Sequence, residues 1–332
     1  MTIFFNEMNE QPKVIRETID QNKDSSLKLD PEKLLLLTGM GSSLAAAGLL
    51  VMTLQQNGIP AIAIDNSELL YYYPESYLDK FNIIVISQSG ESFEAIHFTE
   101  KKEGIIAITN NRNSTLDKNA TTAFYTHAGK ENAIASTKSF TSTAALLLLL
   151  GSRIVGKDFS DELYEAANIM ESQLANADEY MEKIGGFIDP DRPLVLLGRG
   201  PSVLTAEQGS LTLKETSRIF AEAMSAPQFR HGPFELIEEN LQAIFFNPKG
   251  KTYESNKKYV LEMAELGAKV IYVSDEPIEH KNVLAFAIPS VSELVSIIPY
   301  SLVIQLAAVV LSKKRGLVAG EAKIISKVTG KE

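Results

Sequence analysis

The feature that constrains this fold most is an internal echo. Leu194-Val195-Leu196-Leu197-Gly198-Arg199-Gly200-Pro201-Ser202 reproduces the leucine run Lys33 to Thr38 and its turn Gly39-Met40-Gly41-Ser42-Ser43, at an offset of 159 residues. Ala243 to Gly250 matches the stretch that contains Ile84 to Gly90 at an offset of 160, and Lys269 to Ser274 matches Gly104 to Thr109 with a few extra residues between. Three strand-turn elements in one order at nearly constant spacing argue for a duplicated domain.

Within the first copy, short apolar runs alternate with helical patterns. Asn6 to Asp24 reads as an amphipathic helix, Lys33 to Thr38 as a buried strand, and Ala45 to Gln56 as a helix of small residues. Ala61 to Asp65, Ile83 to Ile86, Gly104 to Thr109 and Thr122 to Thr126 read as further strands. Buried strands alternating with helices predict a doubly wound parallel α/β sheet. A leucine helix ending near Gly151 and one polar helix from Asp158 to Tyr180 complete the copy, and Gly185-Gly186 to Pro193 reads as a linker. The expected division is a domain over residues 1–184, with the ligand loops, and a second over 185–332 that ends in a tail.

The chemistry of the first copy gathers where an apolar run breaks into Ser87-Gln88-Ser89-Gly90-Glu91-Ser92. The carboxyl ends of parallel strands are where open α/β sheets bind ligands, and helix amino termini there offer N–H groups to anions. Ser87, Ser89 and Ser92 add hydroxyls, and Gly90 lets the backbone come close. There is no lysine in the loop and no GxxxxGK[ST] spacing, so one phosphate ester fits better than a nucleoside triphosphate. The competing reading is a serine-rich helix cap. Gly39-Met40-Gly41-Ser42-Ser43 is a second glycine turn between strand and helix, but Leu44 stands where a dinucleotide fingerprint has its third glycine. Ser136 or Thr137 either caps the leucine helix or brings Ser136 to the same ligand.

Composition narrows the partners. The 332 residues carry a formal net charge of -10, which argues against nucleic acid or an anionic membrane as partner. No cysteine is present, and the four histidines have no metal-ligand spacing, so neither a thiol nucleophile nor a zinc site is expected, and no cofactor is called for. The opening residues lack a signal-peptide pattern, and Ala144 to Leu150 is too short to span a bilayer, so a soluble cytoplasmic protein is expected.

The second copy has Asn247-Pro248-Lys249 in place of Ser87-Gln88-Ser89, which predicts one phosphate loop per chain. Between Gly209 and Asn240 it carries Glu215, at the end of a helix pattern, and His231 in Arg230-His231-Gly232-Pro233. A carboxylate and a histidine are well suited to moving protons near neutral pH. Taken singly, each also reads as a solvated helix carboxylate or a loop residue bonded to backbone.

Together, Met40-Gly41-Ser42-Ser43, Ser87 to Ser92, Ala135-Ser136-Thr137-Lys138-Ser139-Phe140-Thr141, Leu213-Lys214-Glu215, Arg230-His231-Gly232-Pro233 and the closing Ser326-Lys327-Val328-Thr329 resemble the double sugar-isomerase (SIS) domain proteins. The likeness is to the isomerase half of glucosamine-6-phosphate synthase and its stand-alone relatives, and it spans nearly the whole chain. It implies two tandem flavodoxin-like SIS domains and a hexose 6-phosphate or ketosamine 6-phosphate ligand. The phosphate would lie on Gly41, Ser42, Ser43, Ser87, Gln88, Ser89 and Ser92, with Ser136 and the backbone near Ile134 touching the sugar. By the same resemblance, Glu215 shuttles a proton between C1 and C2, His231 opens the ring, often from the neighbouring subunit of a homodimer, and Lys327 lies near the sugar carbonyl. A carboxylate shielded from water gains a raised pKa and can accept a C–H proton while a cation stabilises the developing oxyanion.

No counterpart of the synthase's glutaminase domain is read here, so glutamine hydrolysis is not expected of this chain. Thr212 stands where the synthases carry a second lysine, three residues before the glutamate. That departure turns the expectation toward deglycases that split a ketosamine 6-phosphate, with glucosamine-6-phosphate deaminases and non-catalytic sugar-phosphate sensors as alternatives. Phe229 to Glu235 resembles the deglycase histidine segment.

Overall fold

The computed structural model describes residues 2–237, 241–289 and 291–330. Asn240, the end of the expected catalytic stretch, lies outside the described residues. The chain forms two compact units. One comprises Lys13–Glu131, Ser136–Leu163 and Lys323–Glu332; the other comprises Met1–Pro12, Asn132–Ala135 and Tyr164–Ala322.

The first unit is built on β1 (Leu34–Gly39), β2 (Ala61–Asp65), β3 (Phe81–Ile86), β4 (Ile106–Thr109) and β5 (Thr122–Tyr125). All pairings are parallel, in the order β2-β1-β3-β4-β5. This is the flavodoxin-like order, with the reversal of direction between β1 and β3. The central strands are buried on both faces, which explains their uninterrupted Leu, Ile and Val runs. The edge strands β2 and β5 are only partly buried. Behind the sheet, the helix Ser42–Gln55 packs on the leucine helix Lys138–Ile154. A Cβ at Gly151 would stand 2.8 Å from Leu50, so the missing side chain sets how closely these helices approach.

The second unit repeats this plan with β6 (Leu194–Gly198), β7 (Ala221–Ser225), β8 (Gln242–Asn247), β9 (Lys269–Ser274) and β10 (Val283–Ala287). Its order, β10-β9-β8-β6-β7, is also parallel throughout and matches the first sheet strand for strand. A tandem doubly wound architecture is therefore present, as the internal echo predicts. The helix Ile297–Lys314 is long and apolar enough to cross a membrane, and 78% of it is buried. It packs along the helix Ser202–Ser217 in this unit.

Two local expectations are corrected. The single polar helix from Asp158 to Tyr180 is two helices, Ser160–Ala175 and Ala177–Phe187. At the joint, the Asn176 side chain donates to the Ser172 carbonyl at 2.8 Å, and its backbone turns out of helical geometry. Gly185 and Gly186 lie inside the second of these helices, so the connecting segment starts later than the glycines imply. A Cβ at Gly185 would stand 3.2 Å from Val310, and Ile184 is fully buried, so packing overrides the weak helix propensity of glycine.

Candidate active site

In the first unit, adjacent strands β1 and β3 deliver two polar turns to the same edge of the sheet. The turn after β1 holds Gly41, Ser42 and Ser43 at the start of the helix Ser42–Gln55, which has no side-chain cap. The turn after β3 holds Ser87, Gln88, Ser89 and Ser92, with Ser87 and Ser89 buried. Gly90 has φ +67°, a left-handed conformation suited to glycine, and a Cβ there would lie 2.2 Å from the Ser114 hydroxyl.

The hydroxyls of this turn are mutually organised. Ser87 Oγ and Ser92 Oγ are 3.2 Å apart, and the Gly90 N–H donates to Ser87 Oγ at 3.1 Å. The Glu91 N–H donates to Ser89 Oγ at 3.1 Å, and the Gln88 carbonyl accepts from the Asn110 N–H at 3.1 Å. Ser92 stands at the cap position of the helix Phe93–Lys101 but makes no capping bond with its side chain. The simple cap reading of the serine loop is thus not what these side chains do. Glu91, the loop's acidic residue, is engaged by the N–H and hydroxyl of Thr115, each at 2.8 Å.

Ser136 precedes the leucine helix, and here the sequence reading missed the central residue. Glu131 has no exposed side-chain surface. Its carboxylate accepts from the Thr137 N–H at 2.9 Å, the Thr137 hydroxyl at 3.0 Å, the Ser139 N–H at 3.1 Å and the Ser139 hydroxyl at 2.5 Å. It therefore caps this helix in place of Ser136 or Thr137, whose side chains make no capping bond. Lys327 of the tail completes the shell, its Nζ 2.7 Å from Glu131 Oε2. Burial pushes the Glu131 carboxyl up, but the Lys327 charge and the hydrogen bonds outweigh it and hold the pKa below the ordinary value. The visible signal was a lone glutamate five residues before Ser136, on a segment with two other charged or amide residues, Lys130 and Asn132.

The tail is held at a second point, where the Phe93 N–H donates to the Thr329 carbonyl at 3.0 Å. The serine loop, the Ser136 segment and Lys327 thus belong to one unit.

The remaining residues lie in the second unit. Glu215 sits near the end of the helix Ser202–Ser217, half-buried. Thr212, one turn earlier, is buried; its hydroxyl donates to the Gln208 carbonyl at 2.9 Å and accepts from Gln208 Nε2 at 3.2 Å. His231 follows the short helix Ala226–Arg230 and is exposed. The Ile134 N–H donates to the Gly320 carbonyl at 3.1 Å.

The turn after β8, the counterpart of the serine loop, is closed by its own bonds. Asn247 Nδ2 donates to the Tyr272 hydroxyl at 2.7 Å and to the Tyr253 carbonyl at 3.0 Å, while Asn247 Oδ1 accepts from Asn256 at 2.9 Å. Lys249 pairs with Glu276 at 2.7 Å. This turn offers no hydroxyl cradle, in keeping with the loss of its serines.

Comparison with known proteins follows from this geometry. The SIS domain family pattern matches residues 28–153 and 187–312. Glutamine--fructose-6-phosphate aminotransferase [isomerizing] of Thermococcus kodakarensis is 31% identical over 331 residues, covering 93% of this chain and 55% of the relative. The chain thus spans about half the length of such relatives. The C-terminal domain of glucosamine-fructose-6-phosphate aminotransferase from Francisella tularensis shares the fold, with a TM-score of 0.85 at 22% identity over 96% of this chain and 98% of that one. Glucosamine-6-phosphate deaminase from Thermotoga maritima does so with a TM-score of 0.76 at 20% identity, over 98% of this chain and 99% of that one.

Proposed function

Since the chain belongs to the SIS domain family and carries two copies of the domain, we propose that it is a phosphosugar enzyme working by proton transfer between C1 and C2. Its favoured substrate is a ketosamine 6-phosphate, which it splits into an aldose 6-phosphate and an amine. The observation that carries this reading is the Glu131–Lys327 pair. One buried carboxylate both orders the segment beside Ser136 and holds the tail lysine in the unit of the serine loop.

In this reading, the phosphate rests on the hydroxyls of Ser42, Ser87, Ser89 and Ser92, the Gln88 amide and the backbone of Gly41 and Ser43. Ser136 and the Ile134 backbone meet the sugar. His231 opens the ring, and its exposure suits supply from a neighbouring subunit of a homodimer. Glu215 removes a C1 proton from the open ketosamine while the Lys327 ammonium stabilises the oxygen at C2. Returning the proton to C2 gives an imine at C1, and water then adds to C1 and releases the amine. Substrate plus water balances aldose phosphate plus amine, with no redox change.

Thr212 supports a reaction other than the aminotransferase's. A neutral, buried side chain occupied by Gln208 stands where the synthases carry a lysine.

The test offers the purified chain a ketosamine 6-phosphate, glucosamine 6-phosphate, and fructose 6-phosphate with ammonia. Glucose 6-phosphate and free amine from the ketosamine alone are expected. Fructose 6-phosphate and ammonia from glucosamine 6-phosphate would instead make it a deaminase, and binding without turnover of any substrate would make it a sensor. Glu215→Gln is expected to keep ligand affinity while losing about 10²–10⁴-fold in turnover. Parental turnover in that variant would remove Glu215 from the chemistry.

A further inference from the structure

A crevice of about 280 Å³ opens in the second unit, where the carboxyl ends of β6 and β7 meet the helix Tyr253–Glu265 that follows β8. Arg199 lines it directly after β6, Arg230 and His231 after β7, and Lys258, Tyr259 and Glu262 from the helix. The strand order of this sheet reverses between β6 and β8, and open α/β sheets bind ligands outside the carboxyl ends at such a reversal. The turn corresponding to the serine loop is closed by the Asn247 bonds, so any ligand held here is held by other groups.

Those groups are cationic. Three of the lining side chains are Arg or Lys and one is Glu, an excess of two positive charges in a chain whose net charge is -10. Arg230 is committed: it forks onto Glu262 and lies over the rings of Tyr259 and Phe234, with centroids at 4.5 and 4.6 Å. Arg199 and Lys258 have no hydrogen bond or ion pair among the described residues, and both are exposed. Tyr259 adds part of its ring to the wall and is otherwise packed in the core of this unit, 8% exposed.

We propose that this crevice is a second ligand site, binding a small anion through Arg199 and Lys258. The group recognised is a phosphate or a carboxylate. The volume accommodates that group with a few attached carbons. Duplication would then have kept the position of the ligand crevice while exchanging a hydroxyl cradle for fixed charge. The crevice shares His231 with the reaction proposed above, but Arg199 and Lys258 have no part in that reaction, and the readout is binding and needs no turnover.

Equilibrium dialysis of the full chain against inorganic phosphate, and separately against aspartate, tests it. The parent is expected to bind phosphate, aspartate or both at a site that survives the double change Ser87→Ala/Ser89→Ala. Arg199→Met/Lys258→Met should weaken that site about tenfold or more while leaving fructose 6-phosphate affinity and the urea midpoint unchanged. Phosphate binding alone would assign a phosphate group, and aspartate binding alone a carboxylate. Binding of neither anion outside the serine loop, or undiminished binding by Arg199→Met/Lys258→Met, would overturn the proposal. Failure of the phosphosugar reading would look different: no turnover, with the second anion still bound.

Discussion

Glu131 carries more of the first unit's local order than its place in the sequence advertises. A carboxylate with no exposed surface must find donors, and it takes two backbone N–H groups, two hydroxyls and the Lys327 ammonium. Removing one member of such a pair leaves the other partly buried and uncompensated, so Lys327→Met should cost about 2–3 kcal/mol in urea unfolding. Glu131→Gln should cost at least as much, because the amide presents a donor where the helix start also presents donors. The double change should cost less than the sum, and strictly additive costs would show that the pair is not coupled. The pH dependence has a definite sign. With the folded pKa of Glu131 below its ordinary value of 4.5, the contribution is fully present above that value and is lost as pH falls through the lower folded value. In Lys327→Met the charge that most lowers this pKa is gone, so the acid limb of the stability profile should move to higher pH.

At the scale of elements, the turn after β3 is the most constrained piece of the first sheet. Gly90→Ala would force a side chain into a left-handed φ and into Ser114, whose hydroxyl accepts from the Asp117 N–H at the start of the next helix. A loss of about 2–4 kcal/mol is expected, together with loss of phosphosugar affinity; parental stability by thermal melting would contradict this account of the turn. The same elements show what a single sequence discloses. Strands β1, β3, β6 and β8 were legible because burial on both faces writes an unbroken apolar run. Edge strands β7 and β10 were not read as strands: β7 carries Glu222 at its second position, and only one residue of β10 is buried. The serine loop was legible because its residue types are unusual after a buried strand. Glu131 was not, because a lone acidic residue looks the same in a loop whether it faces water or is buried beneath its own helix.

For the whole molecule, the open question is whether one chain holds a complete site. The proposed reaction needs Glu215 and His231 together, and the family resemblance implies that the histidine comes from the neighbouring subunit of a dimer. A closed two-fold dimer would then own two sites, each built from both chains. That arrangement has a signature no single-chain site can produce. Mix Glu215→Gln with His231→Ala, each inactive alone, and let subunits exchange. In every mixed dimer one site receives both substitutions and the other receives neither, so the second is native. Random exchange makes about half of the dimers mixed, and the pool should regain about a quarter of parental turnover. If Glu215 and His231 of one chain serve the same site, every site retains one lesion and exchange restores nothing. Native mass spectrometry after mixing, with one variant isotopically labelled, separates that outcome from a failure to exchange, so silence from a demonstrably mixed dimer would place the histidine in its own chain's site.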